Sequence, residues 1–498
     1  MTDYREIITF YEHQAFVWFM NLVNLINITH IRRLWFESKV YRRILLATLI
    51  YLMVRLALQG VVLAQVWSAG PVASETTLIS NDLQIYMAAA NRLVNGQELY
   101  LQEALDKIAV FQYAPAFALV LTPLLPVPFG LLAALHTLLI IGCYGLLYLW
   151  WGRIFRRLGL DRAEAMLAWT LPVWIVFAAF WGDLAYLNIY IITALVCTLL
   201  IEAVLDERLG WALLWVSLLL SSKPYLAFPL ALPLILGRFR FFWRLLAGTV
   251  AIYGAVMGLT ILLMGPAYGW AQHLAYLRFL AEMTANFPWR TPESGFLGYN
   301  HSILQITFFL LGVTPAAQAL ATGLKVLLLL PLAGVSLRHL LHSTHRPGRE
   351  TPLLSLDLAF ALCTGAFIWL DIVWELTLGA VIFAYLLATL TSRSAKIWAW
   401  AVFLPYALLD VWQVISFVAL GPAILADGFY VWTDPSIYLP LVMLVILVFH
   451  ALLVKRLWSA SYASAEKQTE KIPVFPPIPP FKQAKTNRLP HESQTDTL

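Results

Sequence analysis

The stretch SNDLQIYMAAANRLVNGQELY, residues 80–100, is a polar, helix-like segment in a chain that is 61% hydrophobic. Asn81 is a favourable N-cap with Gln84 three positions later, and Gly96 supplies a stop signal. Between these ends the apolar residues recur at helical spacing, as one stripe made of Leu83, Tyr86, Met87, Ala90, Leu93 and Val94. This pattern predicts an interfacial helix that lies along a membrane surface rather than crossing it.

The composition of the whole chain indicates a membrane protein. Only 12% of its 498 residues are charged, where soluble domains have about a quarter, and the mean hydropathy is +0.75. The apolar run 44–66 is long enough to span a bilayer and is expected to act as an uncleaved signal anchor. The cysteines at 143, 197 and 363 lie in apolar runs without C-x-x-C spacing, so they are interpreted as core residues. An all-α polytopic membrane protein without a metal or other cofactor is therefore predicted.

Basic clusters between the apolar runs predict the topology, because the positive-inside rule assigns them to the cytoplasm. The clusters are Arg32, Arg33, Arg42 and Arg43; Arg153, Arg156, Arg157 and Arg162; Arg238, Arg240 and Arg244; Arg338, Arg346 and Arg349; Arg393 and Lys396; Lys455 and Arg456. The rule predicts about twelve spans with both termini in the cytoplasm. The segments expected to face outward are 67–112, 265–300 and 421–436, joined by turns at 181–183 and 371–375.

Some apolar segments are predicted not to be simple spans. Prolines interrupt 113–126, which is expected to be interfacial or re-entrant, before a span at 129–151. In the same way an interfacial helix at 301–311 is expected before a span at 316–341. The short segments 211–220 and 225–236 meet at Lys223-Pro224 and predict a bent helical pair.

Three parts of the chain follow from these patterns. Residues 1–43 are expected to form a cytoplasmic amphipathic segment, and residues 44–457 the transmembrane domain, which includes the first extracytoplasmic loop at 67–112. Residues 458–498 are rich in proline and polar side chains, which predicts a disordered cytoplasmic tail.

Asp82 lies in the first turn of the helix predicted from the opening stretch. A carboxylate there complements the helix dipole and the free backbone N–H groups, which needs no further function. The alternative interpretation is a general base, ionised and held just outside the bilayer.

An ordered set of motifs resembles glycosyltransferase family 87. The set consists of DLQIYMAA at 82–89, Gly96, Tyr100, YAP at 113–115, Pro123, the segment 182–188, Lys223-Pro224 and Asn300-His301-Ser302. The resemblance covers the chain from about Asp82 to Gln305 and is thin beyond.

The resemblance implies a GT-C fold and the transfer of a sugar, mannose in the family, from a polyprenyl-phosphate donor to a lipid or glycan acceptor. The reaction would take place at the extracytoplasmic side of the cell membrane, among membrane lipids and without nucleic acid. It implies that Asp82 is the catalytic base. The substrate-binding residues expected on the same grounds are Tyr86, Tyr113, Asp183, Lys223, Asn300, His301, Trp374 and Glu375.

The chain departs from the family pattern at several of these positions. Asp183 and His301 each stand where the family has glutamine, and Trp374 is followed by Glu375 rather than by histidine. If that histidine steadies the donor phosphate in the family, His301 or Lys223 would have to replace it here. The positive or N–H groups that the leaving phosphate needs could come from Lys223, Arg278, Arg290 or His301.

Two other functions stay open from the sequence. A flippase or transporter of lipid-linked sugars is supported by Arg55, in the middle of the first span, and by the broken pair around Lys223. A structural ion pair with an acid on a neighbouring span is the other explanation of Arg55. A catalytically inactive family relative is supported by the missing histidine after Trp374. No Asp-x-Asp motif occurs, which disfavours a metal-bound nucleotide sugar as the donor.

Overall fold

A computed structural model describes residues 28–68, 82–101, 111–343, 351–420 and 434–459. Within these ranges all regular structure is helical, which confirms the predicted all-α class for the part of the chain that is described. The predicted N-terminal segment is described only from Ile28, and the predicted tail only as far as Ser459. The rest of both segments lies outside the described residues.

The N-terminal half contains ten α-helices within the described ranges, with a 3₁₀ turn at Thr122–Leu124. In chain order they are α1 (Ile28–Glu37), α2 (Lys39–Ser68), α3 (Asp82–Val94), α4 (Pro115–Leu121), α5 (Phe129–Arg157), α6 (Asp161–Trp169), α7 (Leu171–Val176), α8 (Ala178–Tyr186), α9 (Tyr190–Leu205) and α10 (Leu209–Ser222).

The C-terminal half begins after Lys223 with a 3₁₀ segment, Pro224–Ala231. The helices described after it are α11 (Leu232–Ile235), α12 (Phe239–Met264), α13 (Pro266–Asn286), α14 (Ile303–Leu311), α15 (Pro315–Ser343), α16 (Pro352–Trp369), α17 (Gly379–Thr389), α18 (Arg393–Ala407), α19 (Leu409–Leu420) and α20 (Leu441–Ser459).

Six of the described helices are long and apolar enough to cross a membrane, namely α2, α5, α12, α15, α16 and α20. The number rises to eight if each of two bent helical segments counts as one span. In the first, α6 is bent by 54° from the segment formed by α7 and α8; in the second, α18 is bent by 42° from α19. A multi-pass membrane protein is thus supported. The predicted count of about twelve is not confirmed, because the other apolar helices in the described ranges have only 10–17 residues, short of the roughly 20 that a span needs.

Proline and apolar length predicted several helix boundaries correctly. Helix α5 begins at Phe129, and α14 is a separate short helix before α15. The chain leaves α-helical geometry at Lys223 because the following Pro224 restricts the backbone of its predecessor and has no N–H to donate. The predicted break at Lys223-Pro224 is therefore present.

Helix α3 begins at Asp82 and ends at Val94, as the opening stretch predicts. Gly96 follows with φ of 67°, the left-handed conformation that ends helices, and the Gln97 N–H donates to the carbonyl of Arg92 at 2.9 Å. The predicted N-cap, Asn81, lies outside the described residues.

The apolar stripe of α3 packs on protein, which corrects the expectation that this stripe faces the membrane; the interfacial position of α3 stays a prediction. Its buried residues contact a cluster that includes Phe111, Tyr113, and Tyr276 and Phe279 of α13. The stripe was also misassigned at its end, because Val94 is 60% exposed. The buried members are Leu83, Tyr86, Met87, Ala89, Ala90 and Leu93.

Arg55 of α2 forms an ion pair with Asp410 of α19. Its guanidinium makes two hydrogen bonds to the carboxylate, Nε to Oδ2 at 2.9 Å and Nη2 to Oδ1 at 3.1 Å, and the Tyr51 hydroxyl donates to the same carboxylate. The guanidinium also lies 5.2 Å from the ring centroid of Trp181. The structural explanation of Arg55 is thereby confirmed.

We expect Arg55→Met to lower the free energy of unfolding by about 3–5 kcal/mol, because it leaves the buried carboxylate of Asp410 without its cation. The thermal unfolding temperature of the purified protein in detergent measures this. Combining Arg55→Met with Asp410→Leu should recover most of the loss, since an apolar pair needs no compensation. In the control Arg33→Met, which breaks the exposed pair of Arg33 with Glu37, the temperature should hardly change. An equally small effect of Arg55→Met would contradict the prediction.

Candidate functional site

Four segments meet at one set of buried and half-buried polar side chains, which we call the polar cluster: Asp82, Asp183, Asn188, Lys223 and Glu375. Asp82 opens α3, Asp183 lies in α8, and Asn188 lies in the turn that joins α8 to α9. Lys223 follows the end of α10, and Glu375 lies in the loop 370–378 after α16. Four of the sequence-predicted site residues are therefore brought together by segments far apart in the chain.

Asn188 holds the Asp82 carboxylate in a fixed orientation. The Asn188 side chain donates through Nδ2 to Oδ2 of Asp82. Its Oδ1 accepts from the Tyr86 hydroxyl at 3.0 Å and from the Ile189 N–H at 2.6 Å. The Tyr113 hydroxyl lies 2.9 Å from that of Tyr86, whose proton is already given to Asn188, so Tyr113 is the donor. The predicted substrate-binding residues Tyr86 and Tyr113 thus support the base through Asn188.

Asn188 was missed as a site residue from the sequence. It belongs to the segment 182–188 on which the family resemblance partly rests, and that was the signal that could have identified it. A second support is His136, whose Nε2 lies 3.0 Å from the Asn188 carbonyl oxygen. The backbone and the side chain of Asn188 are both fixed, which is what a residue that orients a carboxylate requires.

The environment of Asp82 brings its pKa close to neutrality. Burial raises the pKa to about 6, against the lowering effects of the nearby Lys223 charge and of the Asn188 hydrogen bond. A general base is most effective when its pKa lies near the working pH. At pH 7 most Asp82 side chains are ionised and able to accept a proton.

Asp183 is engaged by the backbone at the start of α9. Its two carboxylate oxygens accept from the Tyr190 N–H at 2.9 Å and from the Ile191 N–H at 3.0 Å, and the side chain is only 2% exposed. The Asp183 carbonyl also accepts from the Asn188 N–H at 3.0 Å. Although the sequence predicted a substrate ligand, this geometry makes Asp183 a helix cap that fixes the turn carrying Asn188.

Lys223 is a buried cation without an ion pair in the described part of the chain. It is 8% exposed, and its Nζ lies 3.7 Å from the ring centroid of Tyr190 and 5.0 Å from that of Tyr113. These rings stabilise a cation but do not neutralise it. The carboxylates of Asp82 and Asp183 act on this ammonium group from a distance but form no ion pair with it in the described part of the chain, so Lys223 is free to contact an anionic ligand directly.

Glu375 is the fourth ionisable member of the polar cluster. Its Oε2 is buried and accepts no hydrogen bond from any residue that the structure describes. Its Oε1 lies so close to Gly182 that an added Cβ would overlap it. Burial raises the pKa of Glu375 well above its ordinary value, and the carboxylates of Asp183 and Asp82 raise it further. The neighbouring Trp374 is partly exposed.

Asn300 holds the loop that carries Glu375. Its Oδ1 accepts from the Val373 N–H at 3.0 Å and from the Ser302 N–H at 3.1 Å, while its Nδ2 donates to the Asp371 carbonyl at 3.0 Å. Two of these three hydrogen bonds hold the loop, and the third fixes Ser302 in the segment before α14; the substrate-binding role of Asn300 stays a prediction.

His301 joins the same loop to the segment around the start of α20. Its Nδ1 accepts from the Val442 N–H at 3.2 Å, so its Nε2 carries the proton and donates to the Ser436 carbonyl at 2.7 Å. The His301 N–H itself donates to the Val373 carbonyl at 2.8 Å. Burial lowers the pKa of His301 to about 4, which keeps the ring neutral. With both ring nitrogens in use and no charge, His301 is poorly suited to hold a phosphate.

The other cations considered from the sequence lie in different surroundings. Arg278 of α13 is exposed, and the guanidinium of Arg290 lies 4.6 Å from the ring centroid of Phe296. Across the described ranges no group of three His, Cys, Asp or Glu side chains is placed to hold a metal ion. Lys223 is therefore the candidate phosphate ligand that the polar cluster contains.

Comparisons with known proteins do not add a family to this picture. No family model matches the chain, and neither a curated protein nor a solved structure matches it. The function is accordingly argued from the chemistry of the polar cluster together with the motifs of the sequence.

We expect Asp183→Ala to lower the free energy of unfolding by about 1–2 kcal/mol or more, because α9 loses the carboxylate that caps two of its first N–H groups. Thermal unfolding of the purified protein measures the loss. Thr351→Ala is the matched control, since Thr351 caps α16 with a single 3.3 Å bond to the Leu354 N–H, and it should cost less. An unfolding temperature equal to wild type for Asp183→Ala would instead favour the substrate-binding role predicted from the sequence.

Proposed function

We propose that this protein is a membrane glycosyltransferase that moves a sugar, mannose by family resemblance, from a polyprenyl-phosphate donor to a hydroxyl of a lipid or glycan acceptor. The observation that carries the proposal is that one polar cluster contains an oriented carboxylate, Asp82, and a buried lysine, Lys223, which forms no ion pair with any residue that the structure describes. The finer assignments to a GT-C fold and to a protein like those of family 87 belong to the same proposal and rest on the motifs of the sequence.

The two groups match the two requirements of the reaction. The acceptor hydroxyl must lose a proton as it attacks, and a positioned carboxylate typically contributes about 10²- to 10⁴-fold to such a step. The leaving phosphate gains negative charge, which a preorganised cation in a site sheltered from water stabilises strongly. In this proposal Asp82 is the base and Lys223 is the phosphate ligand.

The step balances as a substitution at the anomeric carbon. The acceptor oxygen forms a bond to that carbon while the bond between the carbon and the phosphate oxygen breaks. The polyprenyl phosphate leaves with the bonding electron pair, and the acceptor proton passes to Asp82. The apolar helices that support a multi-pass membrane protein suit a donor whose polyprenyl tail stays in the bilayer while its phosphate reaches the polar cluster.

Transport of a lipid-linked sugar is the second candidate. Arg55 no longer supports it, because Asp410 accounts for that charge. The break between α10 and the 3₁₀ segment at Lys223 still favours it, since broken helices hold substrates in transporters. A transporter needs no general base, so a requirement for the Asp82 carboxylate would separate the two candidates. If the wild-type protein transfers sugar from none of the donors tested, an inactive relative is favoured.

Asp82→Asn should reduce sugar transfer by about 10²- to 10⁴-fold, because the amide keeps the shape of the side chain but cannot accept the proton. The measurement is transfer of labelled mannose from polyprenyl-phosphate-mannose to total lipid extract by the reconstituted protein. In wild type, kcat/KM should fall tenfold for each pH unit below about 6, where Asp82 becomes protonated.

The comparison with Asn188→Ala tests the same assignment. This variant keeps the carboxylate but frees its orientation, so it should lose part of the activity and keep a pH-dependent rate. Transfer by Asp82→Asn at the wild-type rate would contradict the role of Asp82 as the base. Absence of transfer by wild type from any polyprenyl-phosphate sugar would contradict the enzyme proposal itself.

The proposal places the reaction at the extracytoplasmic side of the cell membrane and both termini in the cytoplasm. We expect Glu293→Cys, in the exposed 3₁₀ turn Pro292–Ser294, to react with a membrane-impermeant maleimide in intact cells. Arg162→Cys, exposed in α6, should react only after the cells are made permeable. Cys143, Cys197 and Cys363 are buried, so the background should be low. The reverse labelling pattern would contradict this orientation.

A further inference from the structure

Glu375 has the carboxyl group of the polar cluster whose hydrogen bonds are least complete. The Asp183 carboxylate accepts hydrogen bonds from two backbone N–H groups, and the Asp82 carboxylate accepts one from the Asn188 side-chain amide. In the described part of the chain Oε2 of Glu375 is buried and receives no donor. A buried ionised oxygen without a donor is costly, whereas a protonated carboxyl group in the same place has an O–H to give.

The charges of the polar cluster also favour a neutral Glu375. Its carboxyl groups are those of Asp82, Asp183 and Glu375, and its single ammonium group is that of Lys223. Three buried carboxylates around one cation would repel each other, and the group with the fewest hydrogen bonds is the one that keeps its proton. Burial also raises the pKa of Glu375, in agreement with this count.

Gly182 is the reason that Glu375 can occupy this place. A Cβ at position 182 would overlap Oε1 of Glu375, so a larger residue in α8 would displace the carboxyl group. The loop is held from its other side, because the Leu376 N–H donates to the Tyr406 hydroxyl at 3.0 Å and Val373 is bound by Asn300 and His301. Glu375 is thus fixed by residues on both sides of it.

We propose that Glu375 is a substrate-binding residue that donates a hydrogen bond from its carboxyl O–H to the phosphate of the lipid donor, and that Gly182 is the positioning residue that admits it. Lys223 and Glu375 then form one phosphate site with a charged and a neutral donor. This inference rests on the proposed function, because the phosphate is that of the polyprenyl-phosphate donor. In this chain a carboxylic acid would thus donate the hydrogen bond to the phosphate that a cation or a histidine would otherwise supply.

The experiment is direct binding of undecaprenyl phosphate to the purified full-length protein, with undecaprenol as the control lipid that lacks the phosphate. Glu375→Ala should weaken binding of the phosphate by about 10- to 100-fold, the effect of losing a hydrogen bond to a charged group. Glu375→Gln should stay within about 3-fold of wild type, because its amide N–H₂ still donates. Binding of undecaprenol should be the same in all variants.

Gly182→Ala tests the positioning role. It should weaken phosphate binding as much as Glu375→Ala does, and the double variant should be no weaker than either single variant, because both changes remove the same contact. Gly142→Ala in α5 is the matched control: its added Cβ meets no atom within 4 Å, so binding should not change. Unfolding temperatures report whether each variant is folded.

Three results would overturn the inference. They are unchanged binding by Glu375→Ala, a Glu375→Gln variant as weak as Glu375→Ala, and losses that add in the double variant. Rescue by glutamine with equal, non-additive losses for Glu375→Ala and Gly182→Ala supports it. A wild-type protein that binds undecaprenyl phosphate no better than undecaprenol would overturn the proposed function, and this inference with it.

Discussion

An ionised side chain within an apolar helical bundle is stable only when a partner of opposite charge or a set of hydrogen bonds compensates it. This constraint organises the bundle. The Arg55 guanidinium is matched to the Asp410 carboxylate, Arg456 to the fully buried Asp357, and Lys325 to Asp371. Each pair joins helices or loops that are distant in the chain, so charge compensation and helix packing depend on each other. Lys223 stands apart from this pattern, since it has aromatic neighbours but no ion pair among the described residues.

Around the polar cluster the compensation comes from hydrogen bonds between side chains and backbone groups rather than from ion pairs. Asn300 and His301 use their polar side-chain atoms to bind backbone groups of neighbouring segments, and both bind Val373 in the Glu375 loop. Asp183 does the same for the first N–H groups of α9. Residues that the sequence marks as chemically reactive thus supply the rigid support on which a smaller set, Asp82, Lys223 and Glu375, is presented. Such support is what keeps catalytic groups within the narrow geometry that they need.

Helix starts and breaks that depend on neighbouring residues in the chain were predicted well from the sequence. The start of α5 at Phe129 and the break at Lys223 follow from apolar length and from proline, and the placement of Asp82 in the first turn of α3 follows from capping signals. Long-range contacts decided the rest. The partner of Arg55 lies 355 positions away, and the use of His301 as a neutral clamp depends on Ser436 and Val442. The stripe of α3 was recognised, but its surroundings were not, because periodicity identifies a buried face without naming what covers it.

The three carboxyl groups of the polar cluster differ mainly in how many donors each receives, and this difference assigns their roles. Asp183 receives two backbone N–H groups and is a structural anion, whereas Asp82 receives one amide and the field of Lys223. Glu375 receives none at Oε2 from the described residues. When neighbouring acids have environments that separate their proton affinities, one can act as a base while another stays protonated. With Asp82 and Asp183 ionised, the charge of Lys223 is already outweighed by one negative charge, and an ionised Glu375 would add a second and repel a phosphate more strongly. A neutral Glu375 adds no negative charge and has an O–H to give to that phosphate, so the same missing hydrogen bond that makes Glu375 a poor anion makes it a suitable hydrogen-bond donor for an anion.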